Sequence, residues 1–321
     1  MGKLVPHIQI AYVFNKDFFQ ATLVSAVSAI LNNGDCKLSF HLLSLEGNEN
    51  LGAILRAEIE AYNLTVHEYY VDYSAIRNFS IGKFKNSRNA ASQKMDQTIF
   101  LKLFIPNIIQ SPNILYMDSD TIVGNCLKRL YELHRGTAYN LVAEDRSSRE
   151  KLGDSYLAKY GLINYFNSGV MYLNLEMLRE KSFFDQALKL EAEIGEYKNL
   201  ADQDLFNILL KNDIQFMDKN FNVQSNAKNS EAEIKNELKT FPKSILHFIG
   251  PIKPWHLWSS ESHKRIWKVY LSKVRTEKIK FQKPQNLSQF ILLSQRHYKN
   301  GDYKSSSVLS SKIIEELLKS R

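Results

Sequence analysis

The sequence predicts an α/β protein with a mixed but mostly parallel sheet of the nucleotide-binding type. Three observations predict it: apolar runs of strand length alternate with amphipathic helical segments, the composition is globular, and two aspartates directly follow one strand-like run. The chain has 321 residues, of which 44% are hydrophobic and 24% are charged, with a formal net charge of +8. This composition excludes a disordered or fibrous chain.

The N-terminal part alternates strands and helices. The helix that follows the first strand places Leu23, Val27, Ile30 and Leu31 on one face, as core packing requires. Such alternation is typical of βαβ units, which bind ligands beyond the carboxyl ends of their strands. We expect strands at residues 8–14, 38–45 and 64–71, and helices at residues 17–31 and 51–62.

The middle of the chain continues the same pattern after a polar, basic stretch at residues 81–93. That stretch is interpreted as a loop that covers a ligand, with a plain surface loop as the alternative. Further on, we expect helices at residues 95–109 and 205–210, and strands at residues 113–117 and 140–144.

The C-terminal part changes character. Residues 286–298 and 303–318 are predicted to form a helical hairpin, which cannot bury its own apolar face alone. We therefore predict two regions, a main domain at residues 1–275 and a basic linker with a helical add-on at residues 276–321.

Cysteine usage and hydropathy limit the cellular setting. Cys36 and Cys126 are the two cysteines, which excludes a disulfide framework and a four-cysteine zinc site and fits a reducing compartment. No apolar run approaches the ~20 residues of a membrane span, and the first apolar run is too short for a signal peptide. Pro6 stands where a myristoylation motif needs Ser or Thr. A cytoplasmic protein is expected.

Most of the net positive charge lies between Lys253 and Lys283, a segment with nine Lys and Arg, two Glu and interleaved aromatic residues. The segment is interpreted either as a solvated helix face or as a surface for peripheral attachment to the inner face of a membrane. Nucleic acid is not expected as a partner, because no nucleic-acid-binding motif accompanies the charge.

The phosphate-binding glycine loops are absent: neither G-x-G-x-x-G nor G-x-x-x-x-G-K-[ST] occurs. A bound diphosphate would then need a divalent metal held by carboxylates at a strand end. Asp118-Ser119-Asp120, directly after the predicted strand at residues 113–117, supplies two such carboxylates. Alone this motif is weak, since paired acids also form turns and helix caps.

Four motifs together make the pattern specific. They are Tyr116-Met117-Asp118-Ser119-Asp120-Thr121-Ile122-Val123, Tyr165-Phe166-Asn167-Ser168-Gly169, Asp202-Gln203-Asp204, and Leu246-His247-Phe248-Ile249-Gly250-Pro251-Ile252-Lys253. In this order they resemble glycosyltransferase family 8, above all the bacterial retaining α-galactosyl- and glucosyltransferases of lipopolysaccharide type, with glycogenin more distant. The resemblance covers roughly residues 8–270 and implies a GT-A type Rossmann-like domain.

The resemblance also implies roles for individual residues. Asp118, Asp120 and His247 are the expected ligands of Mn²⁺, with Mg²⁺ as the alternative metal, and Asp202 and Gln203 are the expected catalytic pair. The alternative for Asp202 is a structural role as a helix N-cap. The alternative for His247 is a histidine at a strand end whose ring nitrogens are hydrogen-bonded within the protein. The remaining positions expected to bind the donor are Ala11, Asn15, Asp17, Lys102, Ser119, Asp145, Asn167, Ser168, Gly250 and Lys253.

Two departures from the family pattern concern the donor. Asn15 and then Asp17 stand where relatives often carry an aspartate that meets the uracil. Relatives also carry an arginine in a Tyr-x-Arg-Leu pattern before the metal motif, and the position matched to it here is Phe100. Its role is then expected to pass to Lys94, to the cations of the loop at residues 81–93, or to the metal.

The resemblance implies transfer of a hexose from UDP-galactose or UDP-glucose to a hydroxyl group of a glycan, glycolipid or glycoprotein, with retention at the anomeric carbon and dependence on Mn²⁺. The alternative is a noncatalytic protein that binds a sugar nucleotide or a glycan.

Overall fold

The computed structural model describes residues 5–81, 97–135, 137–276 and 279–319. Nearly all of the expected loop at residues 81–93, with its cations Lys83, Lys85 and Arg88, lies outside those residues, and so does Lys94. The chain divides into two compact units, of which the first comprises Met1–Val223 and Phe241–His247, and the second Gln224–Thr240 and Phe248–Arg321.

The predicted strands appear in the predicted order, among further strands and helices that were not assigned from the sequence. The strands are β1 His7–Val13, β2 Lys37–Leu45, β3 Thr65–Val71, β4 Asn113–Met117, β5 Thr121–Val123, β6 Asn140–Glu144, β7 Phe166–Asn174, β8 Ile214–Phe216, β9 Val223–Asn226 and β10 Ile245–Ile249. The helices are α1 Phe19–Asn32, α2 Glu49–Glu60, α3 Ile105–Ile108, α4 Leu127–Arg135, α5 Arg146–Lys159, α6 Leu175–Glu180, α7 Phe183–Ile194, α8 Ala201–Leu210, α9 Glu231–Glu237, α10 Glu261–Leu271, α11 Leu287–Lys299 and α12 Tyr303–Lys319.

The first unit is built on a seven-stranded sheet in the order β3-β2-β1-β4-β7-β6-β8. The strands β3, β2, β1 and β4 are parallel to one another, β7 is antiparallel to both β4 and β6, and β6 is parallel to β8. The expectation of a mixed, mostly parallel sheet is therefore confirmed. The strand order reverses between β1 and β4, which is where open α/β sheets bind ligands.

The central strands are apolar along their whole length because both faces of the sheet are covered. In β2 and β7 nearly every side chain is buried, which is the pattern of interior strands in α/β proteins. Val24 and Val27 of α1 are fully buried in the hydrophobic core. Each buried aliphatic side chain of this kind contributes about 1.5–3 kcal/mol to the free energy of folding.

The expected helix at residues 95–109 differs in type. Gln97–Phe104 forms consecutive 3₁₀ turns, and α3 follows over four residues with Pro106 in its first turn. Apolar spacing does not separate a 3₁₀ from an α-helix over so few residues, because both bury the same short stripe.

The second unit contains α9 to α12. The two C-terminal helices form the expected hairpin, joined through hydrogen bonds from Ser294 to Ser306 and Ser310. Leu293 of that hairpin packs with Ala227, Ile252 and Trp258 in one apolar cluster. The compact units therefore divide the chain at places other than residue 275, because the hairpin shares its core with residues before that boundary; a domain division at 275 stays a prediction.

Four of the aromatic residues of the basic segment are core residues. Trp255, Trp258, Trp267 and Tyr270 are all at most 6% exposed. These four are not available to enter a lipid surface, whereas Phe281 is half-buried, so the basic side chains and Phe281 are left for a surface role. Among the residues that the structure describes, no helix is long and apolar enough to cross a membrane.

Candidate active site

Polar side chains from three neighbouring strands meet at one edge of the large sheet. Asp118 follows the end of β4 and Asp145 follows the end of β6, whereas Asn167 stands at the start of β7. Because β7 runs antiparallel to the strands on either side of it, its start lies at the edge where they end. The backbone N–H of Asp118 donates to the carbonyl oxygen of Gly169 at 2.7 Å, which joins the motifs directly.

Asp118, Asp120 and His247 form a cluster with the geometry of a metal site. One ligand atom from each residue lies within 4.8 Å of the others. The Nε2 atom of His247 is 3.3 Å from Asp120 Oδ1 and 3.7 Å from Asp118 Oδ2. Two carboxylate oxygens and one imidazole nitrogen are a donor set that suits Mn²⁺ and related divalent cations.

The cluster is kept close by the absence of a side chain at Gly169. A Cβ atom built there would lie 2.2 Å from His247 Cε1 and 2.7 Å from Asp118 Oδ2. Any larger residue would therefore push the imidazole and the carboxylate apart. The glycine of the Asn-Ser-Gly motif is required by packing on the metal ligands, and the residues present fit a bound cation.

Tyr116 orients the first carboxylate of the cluster. Its hydroxyl group donates to Asp118 Oδ1 at 2.6 Å, so that Asp118 Oδ2 is the oxygen turned towards His247. Burial, together with the charge of Asp118, raises the pKa of Tyr116 well above its ordinary value. The phenol therefore keeps its proton and remains a donor.

Lys102 is a buried cation at the site. Its Nζ lies 2.6 Å from Asp202 Oδ2 and 3.6 Å from Asp118 Oδ1, and it donates to Ser168 Oγ at 3.2 Å. Burial lowers the pKa of Lys102, but the carboxylates of Asp118 and Asp202 outweigh this and raise it above its ordinary value. Lys102 thus links the metal motif to the start of α8 through its ion pairs with Asp118 and Asp202.

The position matched to the family arginine lies in the core of the first unit. Phe100 is fully buried in the hydrophobic core, where its ring stacks on Phe79 at 5.0 Å between centroids. Among the residues that the structure describes, Lys102, two positions further along, places a positive charge beside the metal motif, and a role for Lys94 or for the loop at residues 81–93 stays a prediction.

Asp202 and Gln203 lie in the first turn of α8. Leu200 is the N-cap of this helix, so the alternative role of Asp202 as the helix N-cap is wrong. Asp202 accepts a hydrogen bond from Ser168 Oγ at 2.9 Å in addition to its ion pair with Lys102. Ala201 has a positive φ of 47°, a conformation that costs a non-glycine residue about 1–2 kcal/mol.

Gln203 connects two strand ends. Its Nε2 donates to Asp145 Oδ2 at 3.1 Å, while its Oε1 accepts from Asn167 Nδ2 and from the Ser168 N–H, both at 3.1 Å. Asp145 also accepts from the Ser148 N–H and so caps α5. The four residues Asp145, Asn167, Ser168 and Gln203 form one buried polar network.

The motifs and their geometry agree with a family-wide comparison. The model of the family described as "Glycosyl transferase family 8" matches residues 9–259. The chain belongs to glycosyltransferase family 8. It is therefore a glycosyltransferase, and the cluster of Asp118, Asp120 and His247 is its candidate metal site.

Individual relatives in the family are distant in sequence. The lipopolysaccharide 1,2-glucosyltransferase of Escherichia coli (strain K12) is 23% identical over 309 residues, which cover 92% of this chain and 88% of that protein. The lipopolysaccharide 1,3-galactosyltransferase of Salmonella typhimurium (strain LT2) is 25% identical over 261 residues, covering 78% of this chain and 74% of that protein.

Solved structures of family members share the fold. The galactosyltransferase LgtC in complex with donor and acceptor sugar analogues superposes with a TM-score of 0.69 at 20% identity, over 84% of this chain and 98% of that chain. The glycosyltransferase GlyE of Streptococcus pneumoniae TIGR4 gives a TM-score of 0.61 at 20% identity, over 91% of this chain and 64% of that chain. The GT-A type α/β fold is confirmed.

Four other predicted positions belong to the first unit of this glycosyltransferase. Ser119 lies next to the cluster, where its Oγ donates to the Val13 carbonyl at 3.0 Å. Asn15 Oδ1 accepts from the Phe18 N–H at 2.9 Å in the turn after β1, and Asp17 is exposed in the same turn. Ala11 is apart from the cluster, because it sits in mid-strand with its side chain in the core.

Gly250 and Lys253 belong to the second unit. Gly250 has a φ of 81°, which favours glycine, and a Cβ there would lie 2.9 Å from Asn226 Nδ2. Lys253 Nζ donates to the Phe248 carbonyl at 2.7 Å. Their roles in phosphate binding stay predictions.

Three residues that shape the site were not assigned a role from the sequence. Tyr116 and Gly169 stood inside the quoted motifs, so the motifs could have pointed to them. Asn222 had no such signal: it lies in a short 3₁₀ turn before β9 and reaches the cluster by a hydrogen bond between its Oδ1 and His247 Nδ1, 3.1 Å apart.

Proposed function

We propose that this glycosyltransferase moves galactose or glucose from a UDP-sugar to a hydroxyl group of a glycan or glycoconjugate, with retention at the anomeric carbon and with Mn²⁺ as its metal. The observation that carries the proposal is the Asp118–Asp120–His247 cluster beside the buried network of Asp145, Asn167 and Gln203. The two lipopolysaccharide hexosyltransferases that resemble the chain support a hexose donor and a glycan acceptor.

The metal ligands are proposed to be Asp118, Asp120 and His247. A divalent cation at this position would neutralise the diphosphate and stabilise the charge of the departing nucleotide. The protein's own contribution is to hold the three ligands at short range, through the Tyr116 hydroxyl on Asp118 and the missing side chain at Gly169.

Asp202 and Gln203 are proposed to act on the donor sugar without forming a covalent bond to it. Asp202 is paired with Lys102 at 2.6 Å, which makes its carboxylate oxygen a weaker nucleophile, and it is proposed to position the donor sugar together with Gln203. Both polar atoms of the Gln203 amide are engaged in hydrogen bonds. These contacts favour attack on the same face as the departing UDP over a glycosyl-enzyme intermediate.

The surroundings of the reaction are also part of the proposal. Lys253 is proposed to add one positive charge at the phosphates, and the loop at residues 81–93 to exclude water from the donor. A cytoplasmic protein with peripheral attachment through the basic side chains of residues 253–283 fits the excess of positive charge there. Flotation on vesicles containing an anionic lipid, before and after changing those Lys and Arg to Gln, tests the attachment, and unchanged flotation would contradict it.

The proposed function is tested by the release of UDP. Purified protein is incubated with Mn²⁺ and each member of a panel of UDP-sugars, with and without EDTA. We expect release from UDP-galactose or UDP-glucose that EDTA abolishes, and loss of release in Asp118→Asn and Asp120→Asn. The matched control is Asp154→Asn, whose side chain is 94% exposed, and it should leave release unchanged.

Two results would contradict the proposal. Release that survives EDTA, or that survives loss of either aspartate, would refute the metal assignment. Tight binding of UDP and Mn²⁺ by calorimetry with no turnover for any donor and acceptor pair would instead favour the noncatalytic alternative, a protein that binds sugar nucleotides.

A further inference from the structure

Two backbone N–H groups fix the orientation of the amide side chains behind the metal cluster. The N–H of Ser168 donates to Gln203 at 3.1 Å, and the N–H of Gly169 donates to Asn167 at 3.0 Å. A backbone N–H is only a donor, so each amide must present its oxygen at that contact. Oxygen and nitrogen of an amide are otherwise hard to tell apart, and here the backbone decides.

Asn222 continues this chain of oriented amides to the metal cluster. Asn167 Oδ1 accepts from Asn222 Nδ2 at 2.9 Å, so the Asn222 oxygen is the atom left to face His247 Nδ1, at 3.1 Å. An amide oxygen accepts and does not donate, and His247 must therefore carry a proton on Nδ1. The Nε2 atom is then the nitrogen available to a cation, and it is the one that faces Asp118 and Asp120.

Asn222 is well placed to hold this arrangement without help from solvent. It is 2% exposed, and His247 is 4% exposed. A protein group must therefore provide the acceptor for the Nδ1 proton. If that acceptor were lost, the neutral imidazole could carry its proton on Nε2 instead, pointing it at the place where the cation binds.

We propose that Asn222 is a positioning residue, which fixes the tautomer and the ring orientation of His247 for metal binding. The inference rests on the proposed function, since it needs the metal site. Groups that hydrogen-bond a metal-binding histidine on its far side typically contribute 10- to 100-fold to metal affinity.

The experiment measures the tautomer and the metal separately. Long-range ¹H–¹⁵N spectra of ¹⁵N-histidine protein without metal, at pH 8, report which ring nitrogen of His247 carries the proton. The chain has eight histidines, and a His247→Gln variant assigns the signal. Calorimetry with Mn²⁺ alone and with Mn²⁺ and UDP gives the affinity. The variants are Asn222→Ala, which removes the acceptor, and Asn222→Asp, which keeps one.

The matched control is Asn140→Ala. Asn140 is also fully buried and donates to the Asp213 carbonyl at 3.0 Å, but it stands at the opposite end of β6 from Asp145. We expect the control to lose thermal stability and to keep both the tautomer and the Mn²⁺ affinity. A role for Asn222 in packing alone would make Asn222→Ala behave in the same way.

In the wild-type protein we expect the proton of His247 on Nδ1. In Asn222→Ala we expect this protonation to be lost and Mn²⁺ to bind about 10- to 100-fold more weakly. In Asn222→Asp we expect the proton to stay on Nδ1 and Mn²⁺ to bind more tightly than in Asn222→Ala. The inference is overturned by a wild-type ring protonated on Nε2 alone, or by equal Mn²⁺ affinity in the two variants. If the wild-type protein binds no Mn²⁺, the proposed function fails, whereas the metal-free spectra still decide the tautomer.

Discussion

Replacing Lys102 by methionine removes the buried cation that joins the metal motif to the start of α8. Lys102 Nζ is 2.6 Å from Asp202 Oδ2, and the two side chains are 4% and 6% exposed. Methionine has a similar length and fills the space, but it leaves the Asp202 carboxylate buried without its counter-ion. Removing one partner of a buried ion pair costs about 3–5 kcal/mol of the free energy of unfolding.

The full effect is expected near neutral pH. Lys102 has a raised pKa in the folded protein, so its stabilising contribution is complete below the unfolded value of 10.5 and is lost only as the pH rises through the higher folded value. A measurement at pH 7.5 therefore detects the whole of the contribution.

The assay is urea unfolding followed by far-UV circular dichroism. Tryptophan fluorescence would follow the wrong part of the chain, because Trp255, Trp258 and Trp267 all belong to the second unit whereas Lys102 belongs to the first. Comparing the two signals also shows whether the units unfold together, which a two-state treatment requires.

Two further variants make the result decisive. Lys102→Met combined with Asp202→Asn removes both charges, and it should recover at least half of the lost stability because no uncompensated charge remains. Lys128→Met is the control, since its pair with Asp35 at 3.9 Å is exposed and contributes about 0–1 kcal/mol. A loss of less than about 1 kcal/mol in Lys102→Met, or no recovery in the double variant, would refute the reasoning.

Two other predictions follow from contacts and pKa values. Gly169→Ala is expected to cost about 1–3 kcal/mol of stability and to weaken Mn²⁺ binding in calorimetry, because its Cβ would lie 2.2 Å from His247 Cε1. The control is Gly34→Ala, because a Cβ atom at Gly34 would have no atom within 4 Å. Equal Mn²⁺ affinity in the two variants would contradict the packing argument. Burial lowers the pKa of His41 and of His134 to about 4. Above pH 6.5, the pKa of histidine in the unfolded chain, both histidines are neutral in both states and the first unit has its full stability. As the pH decreases towards 4, the free energy of unfolding should fall by on the order of 3 kcal/mol for each histidine. Urea unfolding by circular dichroism at several pH values checks this; a slope that stays the same in His41→Gln would count against it.

Five of the ten strands that the structure describes were predicted from hydrophobic runs, because such runs record burial in a sheet, whereas β5, β7, β8, β9 and β10 were not assigned from the sequence. Two predicted strands, residues 113–117 and 140–144, agree with β4 and β6 at both ends. The helical hairpin agrees to within one or two residues, since its polar Asn300-Gly301-Asp302 turn interrupts the apolar spacing. These features depend on nearby residues only.

The metal triad was predicted through the family resemblance and not through spacing. Asp118 and His247 are far apart along the chain, and nothing local says that they meet. They meet because β10 pairs antiparallel with β5, which directly follows Asp120, and this pairing sets His247 opposite Thr121. That contact forms through backbone hydrogen bonds, which leave little trace in the side-chain sequence.

By itself the sequence determined the α/β class, the order of the elements and the motif residues, because hydrophobic periodicity and motif order are local properties of the chain. Only the tertiary structure decided which carboxylates Lys102 meets, since its ion pairs with Asp118 and Asp202 join parts of the chain that are distant in sequence. It alone decided the role of Asn222, whose hydrogen bonds reach Asn167 and His247 from a different part of the chain. Hydrogen bonds and ion pairs act over a few ångströms in space, and that proximity exists only once the sheet has formed.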